Sequence, residues 1–190
     1  AIVPALAFCR DDAALAFGFS QFMRLKEDWL RLNGKLFGHR FMMDRIVPGG
    51  VAADLDEQAA DAMRRQMDSL RQEVSELRNI LDDLPSLEDR LDTTGYLSAE
   101  TAKAFGALGY VGRASGVPFD VRKDAPYAPY NRFSIEVPVF KYGDVAARVK
   151  VRAQEILASF KLIDGLISQL PPGPVRAAWK AAPAGAEGLG

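Results

Sequence analysis

Met63-Arg64-Arg65-Gln66-Met67-Asp68-Ser69-Leu70-Arg71-Gln72-Glu73-Val74-Ser75-Glu76-Leu77-Arg78-Asn79-Ile80-Leu81-Asp82-Asp83-Leu84 places its apolar residues at alternating steps of four and three. Met63, Met67, Leu70, Val74, Leu77, Leu81 and Leu84 make three heptads of an a/d seam, the period of a helix that packs on another helix. Arg64, Arg65, Asp68, Arg71, Gln72 and Glu73 take the outer face. Upstream, Asp54 and Asp56 both offer N-caps, and Glu57 puts negative charge in the first turn, where the helix dipole favours it. Pro85 ends the helix. Behind the cap Gly143-Asp144, the residues Val145, Val149, Ala153, Ile156, Phe160, Ile163, Ile167 and Leu170 repeat the stepping. Two long helices with matching seams pack on each other, most simply antiparallel in a bundle. The expected class is mainly α: a helical bundle with two long heptad-patterned helices, an irregular Gly/Pro-rich loop and a short edge strand or hairpin.

Outward from the seams the chain reads in shorter pieces. A first helical segment runs from about Ala5 to Phe37, with Gly18 either a break or a site of close packing. Asn33-Gly34 and Gly38 end it, and Arg40 to Val47 is short and extended before Pro48-Gly49-Gly50. Leu87 to Asp92 reads as a charged turn, and Ser98 caps a small helix through Phe105. Gly106, Gly109, Gly112, Gly116, Pro118, Pro126 and Pro129 make 106–131 an irregular, structured loop. Phe133 to Val139 alternates and reads as an edge strand, with Pro138 on its open side. Residues 1–170 are thus a helical core, and 171–190 a Pro/Gly/Ala-rich tail, extended or disordered. Without an initiator methionine, the chain is expected to be a fragment of something longer.

Composition narrows the function classes. The 190 residues carry 24 Lys plus Arg against 25 Asp plus Glu, which argues against a nucleic-acid partner. Charges interrupt every apolar run well short of the ~18–20 residues that a membrane span needs. One cysteine, Cys9, and one histidine, His39, exclude an internal disulfide and a zinc or iron–sulfur site built by this chain alone. Cys9 sits in an apolar run and reads as buried; His39 follows a helix end and either caps carbonyls or acts in catalysis. The run Gly109 to Gly116 fits neither the Rossmann spacing nor the P-loop. Arg113, Asp120, Arg122, Lys123 and Asp124 share a stretch with Phe119, Tyr127 and Tyr130. Charges in such surroundings either pair internally or meet a partner. Asp54 needs no explanation beyond a helix N-cap.

Two longer motifs add to this. Pro48-Gly49-Gly50-Val51-Ala52-Ala53-Asp54-Leu55 resembles a PGGV-x-x-D-L segment. Arg113-Ala114-Ser115-Gly116, Asp120-Val121-Arg122-Lys123, Pro126-Tyr127 and Tyr130 resemble R-[AG]-[ST]-G-x-x-x-D-x-R-K-x-x-P-Y-x-x-Y. Val137-Pro138-Val139, Gly143-Asp144, Arg148, Arg152, Glu155 and Ser159 follow in the expected order. Both motifs resemble those of the family uniting the 49 kDa subunit of respiratory complex I with the large subunits of membrane-bound [NiFe] hydrogenases, such as the formate hydrogenlyase type. The resemblance implies a fragment of the [NiFe]-hydrogenase large-subunit-like fold. It also implies a part in an oxidoreductase of the NADH dehydrogenase kind, with NAD and quinone binding in the whole complex. By the same resemblance Asp54 lines a quinone chamber and partners a histidine upstream of Ala1. Arg113 faces the subunit that carries an iron–sulfur cluster, and Asp120, Arg122, Lys123, Tyr127 and Tyr130 are structural or interfacial. The expected partners are that iron–sulfur subunit and other subunits of a membrane complex, on the cytoplasmic side of the inner membrane, peripherally held. A nickel–iron centre would apply only in the hydrogenase branch, held by two cysteine pairs that Cys9 does not match. A metal-free helical scaffold for a redox partner is the remaining alternative. The fragment itself is expected to bind no cofactor, to be inactive alone and to self-associate through its exposed seams.

Overall fold

The computed structural model describes residues 16–187, so Cys9 and the first part of the expected N-terminal helix lie outside the described residues. Three long helices make the frame: α1 (Ala16–Phe37), α2 (Glu57–Asp82) and α7 (Val145–Ser168). Between them lie the hairpin strands β1 (Ile46–Val47) and β2 (Gly50–Val51), and the short helices α3 (Pro85–Leu91), α4 (Ala99–Ala104), α5 (Gly109–Ala114) and α6 (Val121–Asp124). A 3₁₀ turn at Tyr130–Arg132 follows α6.

On α2, Met67, Leu70, Val74, Leu77 and Leu81 are buried, with Met63 and Leu84 packed at the margins. They meet Phe22 and Leu25 of α1 and Val149, Ile156, Phe160 and Ile167 of α7 in one apolar core. The direction of packing follows from the charged rim. Arg64 near the start of α2 reaches Asp164 at 3.3 Å near the end of α7, so these two helices run antiparallel. Arg24 of α1 pairs with Glu73 of α2, and Phe37 lies with Leu55 in one cleft, so α1 and α2 form an antiparallel hairpin. Gly18 is buried inside an unbroken helix, the close-packing alternative rather than the break.

Three expectations are corrected. Leu87 to Asp92 is not a turn: Pro85 sits at the first position of α3, and Leu87 and Leu91 are buried against the bundle. The 106–131 region is not irregular throughout, since Gly109–Ala114 and Val121–Asp124 are helical and Asp120 caps the latter. Phe133 to Val139 is extended but pairs with no strand among the described residues. Its alternation is real, with odd positions half-buried and even ones exposed from Phe133 to Val137. The half-buried side faces a helix instead: the Phe133 ring covers Gly165 of α7, and the exposed Glu136 is tied to the same helix by Lys161 at 2.9 Å. A period of two reports one covered face and says nothing of whether a sheet covers it.

The N-terminus of α7 is a knot of main-chain bonds. Asp144 caps it, accepting from Ala147 N at 2.8 Å and from Thr93 N at 3.1 Å. Gly143 donates to Ala114 O at 2.9 Å and accepts from Leu97 N at 2.9 Å, with φ at +71°. A Cβ there would run into the Leu97 carbonyl. Gly143→Ala is therefore expected to destabilise the chain by about 2–4 kcal/mol, combining left-handed strain with a main-chain clash. Chemical denaturation of the purified variant measures this.

Candidate functional site

At the hairpin end of the bundle a cleft of about 610 Å³ opens. That volume lies within the roughly 300–1,000 Å³ typical of small-molecule sites. Phe37, Met42, Val51 and Leu55 form one wall, and Leu170 to Val175 the other. Backbone holds the two walls together. Val51 N donates to Val175 O at 3.0 Å, and Ala177 N donates to Gly49 O at 2.9 Å. The close approach requires Gly50, whose Cβ would strike the Val175 carbonyl. Among the described residues that line the cleft, Arg45 and Asp54 are the charged ones.

Asp54 and Asp56, equivalent as capping candidates in sequence, separate here. Asp56 caps α2, its Oδ1 accepting from Ala59 N at 2.7 Å. Asp54 is exposed, and its contact is local, accepting from Leu55 N at 2.8 Å. The N-cap explanation for Asp54 is thus corrected: its neighbour does that work.

The second charged group lies on the other face of α7. Arg113 (7% exposed), Asp120 (7%) and Glu155 (9%) are buried together. The Arg113 guanidinium pairs with Glu155, lies 3.5 Å from Asp120 Oδ2, and donates to Phe119 O at 3.3 Å. Arg122 closes on Asp120 in a two-point contact, Nε to Oδ1 at 2.9 Å and Nη2 to Oδ2 at 2.7 Å. That contact holds the Asp120 carboxyl below the usual carboxylate range, against the opposing effect of burial. Arg152 stacks over the Tyr110 ring at 3.5 Å. Lys123 and Tyr127 are exposed, and Tyr127 meets Tyr130 edge-on at 5.0 Å.

The two groups are not one site. Glu155 and Leu170 are fifteen positions apart along α7 and the turn that follows it, roughly 20 Å at a helical rise. His39 does not cap carbonyls: its Nδ1 accepts from Phe41 N at 3.2 Å, while Arg45 takes the Phe37 carbonyl at the end of α1. No group of three or more metal-ligating side chains occurs among the described residues. Sequence reasoning passed over Glu155 as the partner of Arg113, and Arg45 altogether. Glu155 could have been found as an acid inside an apolar-rich helix. The trace of Arg45 is fainter, the last charge before the uncharged run Ile46 to Ala53.

Stability should follow the Asp120 proton. A carboxyl held low in the native state stabilises it above the unfolded pKa of about 3.9, and that contribution is lost as pH falls through the native value. Asp120→Asn keeps a capping side chain and removes the charge. The variant is expected to lose about 2–3 kcal/mol at neutral pH and to show a flatter acid limb below about pH 4. Denaturant titrations of both proteins from pH 7 to pH 2.5 check it.

Similarity to known proteins gives the family. The family described as respiratory-chain NADH dehydrogenase, 49 Kd subunit, matches residues 12–187. The D-type subunit of the NADH-quinone oxidoreductase of Acidothermus cellulolyticus is 35% identical over 184 residues, which cover 94% of this chain and 41% of that protein. The carbon monoxide-induced hydrogenase of Rhodospirillum rubrum is 36% identical over 160 residues, 84% of this chain and 44% of that protein. Among solved structures, a chain of the membrane-bound sulfane sulfur reductase, an archaeal respiratory membrane complex, superposes with a TM-score of 0.81. It is 29% identical, and the match covers 92% of this chain and 47% of that one. The chain therefore spans less than half the length of these relatives. It belongs to the family of the 49 kDa subunit of respiratory-chain NADH dehydrogenase.

Proposed function

We propose that the chain is part of the catalytic large subunit of a membrane-associated, NADH:quinone oxidoreductase-like complex. Its hairpin end contributes a wall of the quinone chamber, and its α5–α6 region seats an iron–sulfur subunit. The observation that carries the reading is Asp54: an exposed carboxylate on a largely apolar cleft, freed from helix capping by Asp56. Reducing a quinone to a quinol takes two electrons and two protons. An iron–sulfur cluster in the partner subunit would supply the electrons. Asp54 delivers one proton to a quinone oxygen and, recharged from the solvent to which it is open, the second as well.

Arg113 takes an indirect part. Its guanidinium is turned inward onto Glu155, so it fixes the α5–α6 region from beneath. Phe119 and Val121, exposed beside it, then form the surface offered to the partner, with Lys123 and Tyr127 alongside. The reading includes peripheral attachment on the cytoplasmic side of the membrane; no described helix is long and apolar enough to cross one.

A hydrogenase-type complex is the second reading, favoured by the likeness to the carbon monoxide-induced hydrogenase. A nickel–iron centre held by two cysteine pairs does not fit the residues present, because the chain has one cysteine. No step here runs through such a centre.

Asp54→Asn separates proton delivery from architecture. In the assembled complex the variant is expected to fold and assemble normally, with stability changed by less than about 0.5 kcal/mol. Quinone-reductase turnover should fall by about tenfold or more, the loss expected when a positioned acid is removed. Turnover assays on purified complex, beside a thermal melt, decide it; unchanged turnover removes Asp54 from the chemistry.

A further inference from the structure

Arg45 brings a cation to the cleft beside Asp54, and its surroundings are unusual for an arginine. The main chain of Arg45 extends the hairpin by one rung, its carbonyl accepting from Ala52 N at 2.9 Å. The guanidinium is aimed by two carbonyls: Nε donates to Met43 O at 3.1 Å, and Nη1 to Phe37 O at 2.7 Å. Phe37 O is one of the carbonyls that the end of α1 leaves without a helical partner, so Arg45 is anchored where the helix dipole is negative. Those anchors fix direction and do not neutralise the charge. Among the described residues no carboxylate comes within 4.0 Å of it, Asp54 on the same cleft included. A guanidinium has five N–H donors, and the two anchors use one on Nε and one on Nη1. The side chain is half-buried and lines the cleft, with three N–H donors beyond the two anchors.

A half-desolvated cation with free, oriented donors favours a ligand oxygen that carries partial or growing negative charge. We infer that Arg45 is the binding residue that fixes a quinone head group in the cleft, donating a charge-assisted hydrogen bond to one of its carbonyl oxygens. The inference rests on the chamber reading above and adds the group that selects and orients the ligand. Arg45 cannot supply the proton, because its guanidinium does not deprotonate in proteins. The two charged side chains of the cleft thus divide the work. Arg45 holds the oxygen and stabilises the negative charge that arrives with the electrons, and Asp54 gives the proton. A hydrogen bond to a charged donor strengthens as the acceptor becomes more negative, so the contact favours the reduced ligand over the oxidised one until the proton arrives.

The test uses the assembled complex that holds this chain and two probes of nearly equal size: a decyl-substituted 1,4-benzoquinone and its 1,4-dimethoxybenzene counterpart. Only the first presents strong carbonyl acceptors. Isothermal titration is expected to show tighter binding of the quinone than of the dimethoxy compound. Arg45→Met should weaken quinone binding by about tenfold or more while changing the dimethoxy affinity by less than about twofold. An Arg45→Met chain that keeps the wild-type preference, or that loses affinity for both probes equally, overturns the inference. Should that variant fail to fold for want of its bond to Phe37, Arg45→Lys decides in the same titration. A lysine donates from one centre and should lose several-fold of the preference; a full wild-type preference overturns the inference. Failure of the wild-type complex to bind either probe overturns the chamber reading, and the role of Arg45 with it.

Discussion

The carboxylate of Glu155 leaves water on the face of α7 opposite the bundle seam, where the guanidinium of Arg113 meets it. An ionised acid buried without such a partner would cost several kcal/mol, and the helix could not then be covered on that side. With the pair in place α7 is buried on two faces. Val149, Ile156, Phe160 and Ile167 face α1 and α2, while Ala147 and Val151 face α5. Small residues on the second face let the backbone of α5 come close. The same contact orders the chain on either side of it, since Arg113 O accepts from Phe140 N at 2.9 Å and Ala114 O from Gly143 N at 2.9 Å. Arg113 also draws in Asp120, which caps α6 and holds Arg122. One ion pair therefore settles where three short segments go.

That dependence explains which parts of the fold were legible in sequence. The long helices could be read because their apolar residues repeat over several turns and their caps are chemically explicit, Asp56 for α2 and Asp144 for α7. The short helices α5 and α6 could not. Each is no more than six residues, too short for a period to register, and α5 is held by contacts with the distant helix α7. Phe133 to Val139 failed for another reason. Its alternation was read correctly as one covered face, but the cover is helix α7, which offers no main-chain ladder. Pro85 shows the limit of punctuation: it marked the end of α2 correctly, and the residues after it begin another helix.

The candidate site was legible unevenly. The glycine pair and Asp54 stood out through a motif, and the charges from Arg113 to Lys123 through their density among aromatic and small residues. What sequence left open was assignment. Two aspartates two positions apart were equal as caps until the backbone gave the role to Asp56. Arg45 carried no signal, because its distinction lies in what surrounds it: two carbonyls close by and, among the described residues, no carboxylate within reach. The tail residues that complete the cleft are nearly featureless as sequence. Their contribution is backbone, delivered at Val175 and Ala177 to a turn whose glycines admit it.

A cleft closed by backbone leaves its side chains free for a ligand. Had Asp54 and Arg45 held the two walls together, their charges would have been satisfied within the protein and neither would serve chemistry at an acceptor oxygen. Instead Val51, Val175, Gly49 and Ala177 carry the closure through main-chain bonds. The opposite holds around Glu155, where side-chain charges are consumed in holding structure and few remain to act. Helix α7 carries the second region and leads directly into Leu170 at the edge of the first. Because its seam is packed against α2 along most of its length, displacement of the α5–α6 region cannot reach the cleft as a local bend. It must move the helix as a unit, so the spacing between the surface proposed for a redox partner and the cleft proposed for its substrate is set by the hydrophobic core itself.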